Sequence, residues 1–280
     1  MTYLFCDTCV LLNLSTDIKL YDAVIKIIEL EEKGDVKVVI SDIIESELTA
    51  HKETIVKKRI LSYNSHLKNT KNLYELFTNE AEIILRKELQ EIHAKLPEME
   101  EVLNKNLNKV LLLVEKAIKI NHNQNHKNNV IQRAIDRSFP FHRNKNSIKD
   151  ALISESFLEF TKELPEDCEK VYFITDNIDD FSDRTNRTLP HPDWAAIFND
   201  KIIYSINIAA VINTLEPETI DEEVEKGIQE RSIDMCIDGK HHTFDKENGF
   251  WKNSMYGGGL SWHFKCKKCR MTYDTGNYWD

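Results

Sequence analysis

Apolar and polar residues follow two different periods along the first fifty positions, and these periods predict strands and helices in turn. The apolar segment 2–6 is a short strand that leads into Asp7, and the β-branched run VKVVI at 36–40 is typical of a buried strand. Between and after these strands, apolar residues recur every three or four positions, as in amphipathic helices, and Gly34 marks a helix end. This β–α–β–α order is typical of a parallel sheet with crossover helices.

Residues from about 52 to 145 have the pattern of a helical insertion. Up to about 120 they are charged and have helical apolar spacing, which predicts two long helices packed on each other and on the domain. Pro97 is the only interior helix breaker in this part. The polar segment 121–129 is interpreted as a loop, followed by a short helix and a second loop.

The rest of the chain divides into three parts. An amphipathic helix begins at Asp150, a second buried strand ends on Asp176, and a further strand and short helix complete a domain at 1–215. Residues 216–234 contain eight acids and two bases and are interpreted as a solvated linker helix. The last 45 residues contain nine of the 25 aromatic residues, which predicts a separate module at 235–280.

Composition excludes several classes of protein. With 41% hydrophobic and 30% charged residues the chain is typical of a soluble globular protein, and its net charge of −10 argues against coating nucleic acid through overall charge. We find neither a signal peptide pattern nor an apolar run of membrane-spanning length, so we expect a cytoplasmic protein without a membrane partner. Six cysteines are too few and too scattered for a disulfide scaffold, and in a reducing compartment clustered cysteines suggest metal binding.

Four acidic residues follow the predicted strands or begin the helices next to them. Asp7 and Asp176 directly follow strands, Glu47 lies on the helix after VKVVI, and Asp150 opens a helix after a loop. Active sites of parallel α/β sheets lie at the carboxyl ends of the strands, so we expect the four carboxylates to meet at one edge. Converging carboxylates repel one another unless a cation joins them, and Mg²⁺ or Mn²⁺ suits such hard ligands. The sequence therefore predicts a metal site able to activate water against a phosphodiester.

Neighbouring residues leave alternatives within this set. Glu45 competes with Glu47, and because a helix turns by about 100° per residue, only one of them can face the metal. The spacing from the preceding strand favours Glu47. Asp179 competes in the same way with Asp180. Two polar neighbours of the last strand-end acid have either a turn role or a role in orienting water or phosphate: Thr175 and Asn177.

The segments FCDTCVLL, ISDIIESEL, KDALI and FITDNIDDF resemble the PIN-like superfamily of metal-dependent nucleases, which includes toxin ribonucleases. The segment PFHRNKNSIKDALI resembles the subgroup with a long helical insertion, and the resemblance covers about 1–212. It implies a PIN-like α/β fold, a parallel sheet flanked by helices, and an endonuclease whose expected substrate is RNA. A DNA flap or nicking nuclease and a catalytically silent binding scaffold are the alternatives. The implied metal-site residues are Asp7, Glu47, Asp150 and Asp176, with Asp180 as an auxiliary.

A nuclease with an acidic site also needs positive charge nearby to hold its substrate. Residues 116–149 contain eight Lys or Arg and one acid. Lys57, Lys58 and Arg59 form a second candidate group, and both groups can equally be solvated surface charge. The candidates for binding substrate are the cations that precede the third acid: Arg133, Arg137, Arg143, Lys145 and Lys149. The histidines of this region are expected at the surface: His122, His126 and His142.

The C-terminal module contains a set of zinc ligands. Cys236-x4-His241 and Cys266-x2-Cys269 supply three thiols and an imidazole, which suit tetrahedral Zn²⁺. A 45-residue module has a small core, and zinc would stabilise it. The module resembles a zinc ribbon. His242 and His263 compete with His241 as the fourth ligand. An alternative site of four cysteines would combine the CxxC of the module with Cys6 and Cys9, but these two are better interpreted as small core residues.

Overall fold

The computed structural model describes residues 1–71, 79–141, 147–232, 244–245, 247–253, 260–268 and 272–279. A five-stranded sheet, parallel throughout, has the order β3–β2–β1–β4–β5. Its strands are β1 (Thr2–Cys6), β2 (Val36–Ser41), β3 (Ile118–Ile120), β4 (Lys170–Ile174) and β5 (Ile202–Ser205). The chain builds outward from β1 on one side and then crosses to β4 on the other. The strand order therefore reverses between β1 and β4, where parallel α/β folds form their binding crevice.

The first helices follow the predicted pattern. They are α1 (Thr8–Thr16) and α2 (Tyr21–Lys33). Gly34 ends α2 with φ of 82°, a left-handed conformation that glycine adopts without a steric penalty. The prediction of a β–α–β–α opening is confirmed.

Two long helices follow β2 and pack against each other, as the apolar spacing predicted. They are α3 (Asp42–Lys71) and α4 (Asn79–Lys116). Pro97 lies inside α4 and does not end it. Buried leucines at seven-residue spacing, Leu89, Leu96 and Leu103, anchor α4 on both sides of the proline. Tertiary packing of the apolar stripe thus maintains the helix where local propensity opposes it.

Between 117 and 136 the structure differs from the prediction in two places, an edge strand and the start of a helix. Residues 118–120 pair with β2 as the edge strand β3, although they lie within the expected helical insertion. Residues 124–129 of the segment interpreted as a polar loop form the first half of α5 (Gln124–Asp136), and the predicted short helix forms the rest. Asn123 begins α5 and forms a reciprocal capping box with His126. Each side chain accepts a hydrogen bond from the backbone N–H of the other residue, which stabilises the start of the helix. The expectation of a surface histidine is wrong for His126, which is buried and paired with Glu159.

Four further helices complete the domain, namely α6 (Ile148–Lys162), α7 (Ile178–Phe181), α8 (Ile208–Leu215) and α9 (Glu222–Ser232). Within 216–234, interpreted as a solvated linker helix, α9 is helical as predicted and also packs on the domain. Its Ile228 is buried in the main core, and Glu225 accepts a 2.6 Å hydrogen bond from the amide of Asn213 on α8. A few apolar positions in a highly acidic helix are thus enough to attach it to the domain.

The described C-terminal residues form an antiparallel sheet of β6 (Phe250–Asn253), β7 (Leu260–Lys265) and β8 (Thr272–Trp279). Trp251 and Trp262 lie opposite each other on β6 and β7, with ring centroids 5.0 Å apart. In the part of the chain that the structure describes, no helix is both long enough and apolar enough to cross a membrane.

Candidate functional site

Asp7 lies at the point where the strand order reverses. Its backbone N–H continues the sheet by donating to the carbonyl of Ile174 on β4 (2.9 Å). Its side chain is 3% exposed, and both carboxylate oxygens are held. Oδ1 accepts from the backbone N–H of Thr8 (2.6 Å), and Oδ2 accepts from the hydroxyl of Thr175 (2.7 Å). The carboxylate therefore caps α1 and is fixed against the end of β4.

Burial disfavours the charged form of this carboxylate. Desolvation raises the pKa of Asp7 above its usual value, the hydrogen bonds from Cys9, Thr175 and Thr8 lower it in part, and the negative charge of Glu47 raises it further. A buried carboxylate beside a second acid is stabilised as an anion by a neighbouring cation. This electrostatic environment suits a metal-ion ligand.

Cys9 connects the two strand-end acids. Its thiol donates to Asp7 Oδ2 (3.0 Å), and its sulfur accepts the backbone N–H of Asp176 (3.1 Å). Burial, followed by the charges of Asp7 and Asp176, raises the pKa of this thiol well above its usual value, so the sulfur stays protonated and keeps its donor role. Cys9 packs partly buried against the core, as expected, and in addition contacts both aspartates, whereas Cys6 is buried in β1.

Glu47 and Glu45 point in different directions, as the helical rotation required. Glu47 Oε2 accepts from the hydroxyl of Thr8 (2.7 Å), the residue that follows Asp7, and Oε1 accepts from the ammonium of Lys149 (2.6 Å). Glu45 forms an ion pair with Lys119 on the edge strand β3 (2.6 Å). Of the two, it is Glu47 that faces Asp7.

The last two acids reach the same edge through their neighbours. Asp176 Oδ2 accepts from the side-chain amide of Asn13 on α1 (2.6 Å). Asp150, in the first turn of α6, accepts at Oδ1 from the side-chain amide of Asn177 (3.3 Å), the residue after Asp176. A chain of single intervening side chains thus joins the strand-end acids to those on α3 and α6.

The two acids of α7 are also distinguished. Asp180 is fully buried, whereas Asp179 is exposed and forms an ion pair with Arg187 (3.2 Å). Of the two, Asp180 is the acid that the domain encloses, and its auxiliary role stays a prediction.

These carboxylates have the donor chemistry for a hard divalent cation, but they are not gathered as a ligand shell. Among the described residues, no group of three or more His, Cys, Asp or Glu side chains is arranged to hold a metal ion. Instead, neutral donors hold Asp7, Asp150 and Asp176, and the Lys149 ammonium supplies a positive charge at Glu47. The oxygen donors at one edge and the buried carboxylate of Asp7 fit Mg²⁺ or Mn²⁺. In this structure the ammonium of Lys149 is the positive charge at this edge.

The predicted substrate cations have different environments. Arg133 is held inside the domain by Glu155 (2.7 Å) and by the carbonyl of Phe139 (3.1 Å), so its structural role replaces the expected contact with substrate. Arg137 is exposed at the end of α5, in a left-handed conformation. Lys149 lies beside Glu47 at the site. Two of the predicted cations lie outside the described residues: Arg143 and Lys145.

The predicted zinc ligands fall mostly outside the described residues, namely Cys236, His241, Cys269 and the alternative His242. Cys266 is buried directly after β7, where its backbone forms a bridge with Phe244. His263 is buried on β7. The alternative site that combined Cys6 and Cys9 with the C-terminal CxxC is wrong, because Cys6 is enclosed in the sheet and Cys9 is bound between two aspartates.

Sequence reasoning missed the residues that hold the acids in place. Thr8, Cys9 and Asn13 lie on α1 and contact Glu47, Asp7 and Asp176 respectively. A signal was present, since Cys9 and Asn13 are four residues apart and therefore share a face of α1. Thr175 and Asn177, for which a turn role and a site role remained open, both contact site carboxylates.

The PIN domain family model matches residues 4–181, a span that includes all four acids and ends at α7. Neither the curated proteins nor the solved structures contain a match to this chain. The matched span covers more than half of the chain and coincides with the parallel sheet and its carboxylate edge. Fold, position of the acids and family model agree, and the chain belongs to the PIN domain family.

Proposed function

We propose that this protein is a divalent-metal-dependent endonuclease that hydrolyses phosphodiester bonds, and that its substrate is RNA. PIN domains are generally nucleases, and membership of the family supports a hydrolase acting on nucleic acid. The observation that carries the proposal is the linked set of Asp7, Glu47, Asp150 and Asp176 at the point where the strand order reverses. The cytoplasmic location remains a prediction from the sequence.

In this proposal the four carboxylates hold Mg²⁺ or Mn²⁺, and Asp180 supports them from α7. Such an ion supplies the positive charge that activates water and offsets the charge developing on phosphate. The other side chains have positioning roles. Thr8, Thr175 and Cys9 fix Asp7, Asn13 fixes Asp176, and Asn177 orients Asp150.

Lys149 has a separate role in this mechanism. Its ammonium is exposed and bound to Glu47. If the carboxylates held a cation, Glu47 would no longer need the ammonium of Lys149, which could then bind a substrate phosphate beside the site. Lys149 thus neutralises Glu47 in the free protein and would bind substrate in the complex.

The proposal is tested by incubating the purified full chain with labelled single-stranded RNA, single-stranded DNA and the corresponding duplexes. Each substrate is supplied with Mn²⁺, with Mg²⁺, or with EDTA. We expect cutting of single-stranded RNA that EDTA abolishes. Preferred cutting of DNA would replace RNA as the substrate class, and no cutting of any substrate would leave a binding scaffold in place of an enzyme.

Replacement of Cys9 tests the positioning role of its thiol. Cys9→Ala removes both the donor to Asp7 and the acceptor for the Asp176 N–H. We expect it to raise the Mn²⁺ concentration at half-maximal cleavage, or to lower activity, by roughly 10- to 100-fold, as for other residues that orient metal ligands. Cys9→Ser keeps a donor and an acceptor at this position and should recover most of the loss. The measurement is the Mn²⁺ concentration at half-maximal cleavage. Equal values for both variants and the wild type would show that Cys9 only fills space.

We also propose that the C-terminal module binds one structural Zn²⁺ through Cys236, His241, Cys266 and Cys269. The support is the CxxC spacing together with the burial of Cys266 immediately after a strand, as in a zinc knuckle. Elemental analysis of the purified chain should give one zinc per molecule, and Cys266→Ser should lower this ratio. A preparation without zinc at full solubility would contradict the assignment.

A further inference from the structure

We propose that the exposed lysines of α3 form a binding surface for a single nucleic-acid strand that leads away from the carboxylate edge. This surface, the α3 lysine row, consists of Lys57, Lys58 and Lys68. It rests on the proposed nuclease function and specifies how that site holds a long substrate. Four observations support it: charge, pairing, direction and an exposed apolar residue.

The two helices of the insertion carry opposite charge. Between 51 and 71, α3 has six basic residues and one acid, a formal charge of +5. Between 79 and 101, α4 has three basic residues and seven acids, a formal charge of −4. A polyanion is therefore attracted to α3 and repelled by its neighbour, although the whole chain is acidic.

Pairing enhances this difference. On α4, Arg86, Lys87 and Lys105 form ion pairs with glutamates one turn away. The basic stretch before Asp150 is also partly neutralised, because Arg133 and Lys149 bind glutamates elsewhere in the fold. In the part of the chain that the structure describes, by contrast, the three lysines of the row have no carboxylate partner. Their charge is available to phosphate.

The angular positions of the lysines around α3 relate the row to the site. Residues rotate by about 100° along a helix, which puts Lys58 within about 20° of Glu47, and Lys57 and Lys68 within about 80°. With a rise of about 1.5 Å per residue, Lys58 lies roughly 16 Å and Lys68 roughly 31 Å along the axis from Glu47. The buried residues of α3, Ile44, Leu48, Ile55 and Val56, lie about 60° to 180° from Glu47 in the rotational sense opposite to Lys57 and Lys68. A strand leaving the carboxylate edge can therefore follow one exposed face.

Leu61 supplies a reason to expect a single strand. It is 66% exposed and lies between Lys58 and Ser65 on the same face. An exposed large apolar side chain within a row of lysines can contact the face of a base, which a single strand presents and a duplex conceals within its stack. A single row of cations on one helix also matches one backbone better than two.

The test measures binding in EDTA, so that it does not depend on cleavage. The probe is a fluorescent, unstructured single-stranded RNA of about 20 nucleotides, longer than the row, beside a duplex of equal length. The variant of the α3 lysine row, called the track variant, is Lys57→Glu/Lys58→Glu/Lys68→Glu in the full chain. The control variant, Lys87→Glu/Lys95→Glu/Lys105→Glu, makes the same change in net charge on α4. Thermal melting confirms that both variants are folded.

We expect the track variant to bind the single strand at least about tenfold more weakly and to lower the slope of log K against log salt by about 2, since each lost phosphate contact contributes roughly 0.7 for single strands. The control should stay within about twofold of the wild type. Equal losses in both variants, no loss in the track variant, tighter binding of the duplex, or no binding by the wild type would each overturn the proposal. A protein that binds through the row and cuts nothing would overturn only the nuclease function.

Discussion

Asp7→Asn is expected to lower kcat/KM for cleavage by roughly a thousandfold or more, equivalent to about 4 kcal/mol of lost transition-state stabilisation. Asp7 lies between β1 and β4 and contacts three residues that lead to the other acids. The amide keeps the shape of the side chain but removes the negative charge that a cation requires. Rates are measured on single-stranded RNA with saturating Mn²⁺.

The folded state should tolerate this change. Because burial raises the pKa of Asp7, the ionised carboxylate disfavours the fold at neutral pH, and a neutral amide should leave the melting temperature unchanged or slightly higher. Asp22→Asn, on the exposed first turn of α2, is the matched control and should keep full activity and stability. Loss of activity in both variants, or in neither, would remove Asp7 from the reaction.

The second large effect is expected from a pair of glutamates on one helix. Glu47→Gln should lower activity by roughly a hundredfold or more, because Glu47 is the acid of α3 that faces Thr8 and Asp7. Glu45→Gln should leave the rate within about twofold of the wild type and cost at most about 1 kcal/mol of stability, since it breaks a half-exposed ion pair with Lys119. The two variants differ only in position, and both rates and melting temperatures are compared. A larger loss of activity in Glu45→Gln would reverse the assignment.

Much of the fold could be predicted because the periodicity was strong. The strands before Asp7 and Asp176 and the two long helices of the insertion have apolar spacing that local patterns reveal. The edge strand β3 was missed because three residues carry too little pattern, and its pairing with β2 is a long-range contact. The start of α5 was missed because its stability comes from a cap and from the contact between His126 and Glu159, not from apolar spacing.

The candidate site shows the same division. The strand-end position of Asp7 and Asp176 could be read from the sequence, since parallel strands share one edge. The roles of Cys9 and Asn13 could not, because each contacts a residue more than 160 positions away. Arg133 illustrates the opposite error, since a basic residue near an acidic site is as suitable for an internal ion pair with Glu155 as for phosphate. The number of charged residues in a segment does not show which other residue each of them contacts in the fold.

The central claim is that the four carboxylates form one site for a divalent cation. Its most direct test is calorimetric titration of Mn²⁺ into the full chain after removal of bound metals, for the wild type, Asp7→Asn and Asp22→Asn. We expect saturable Mn²⁺ binding in the wild type and in Asp22→Asn, and at least about tenfold weaker binding in Asp7→Asn. Identical Mn²⁺ binding by all three proteins, or no binding by the wild type, would contradict the account.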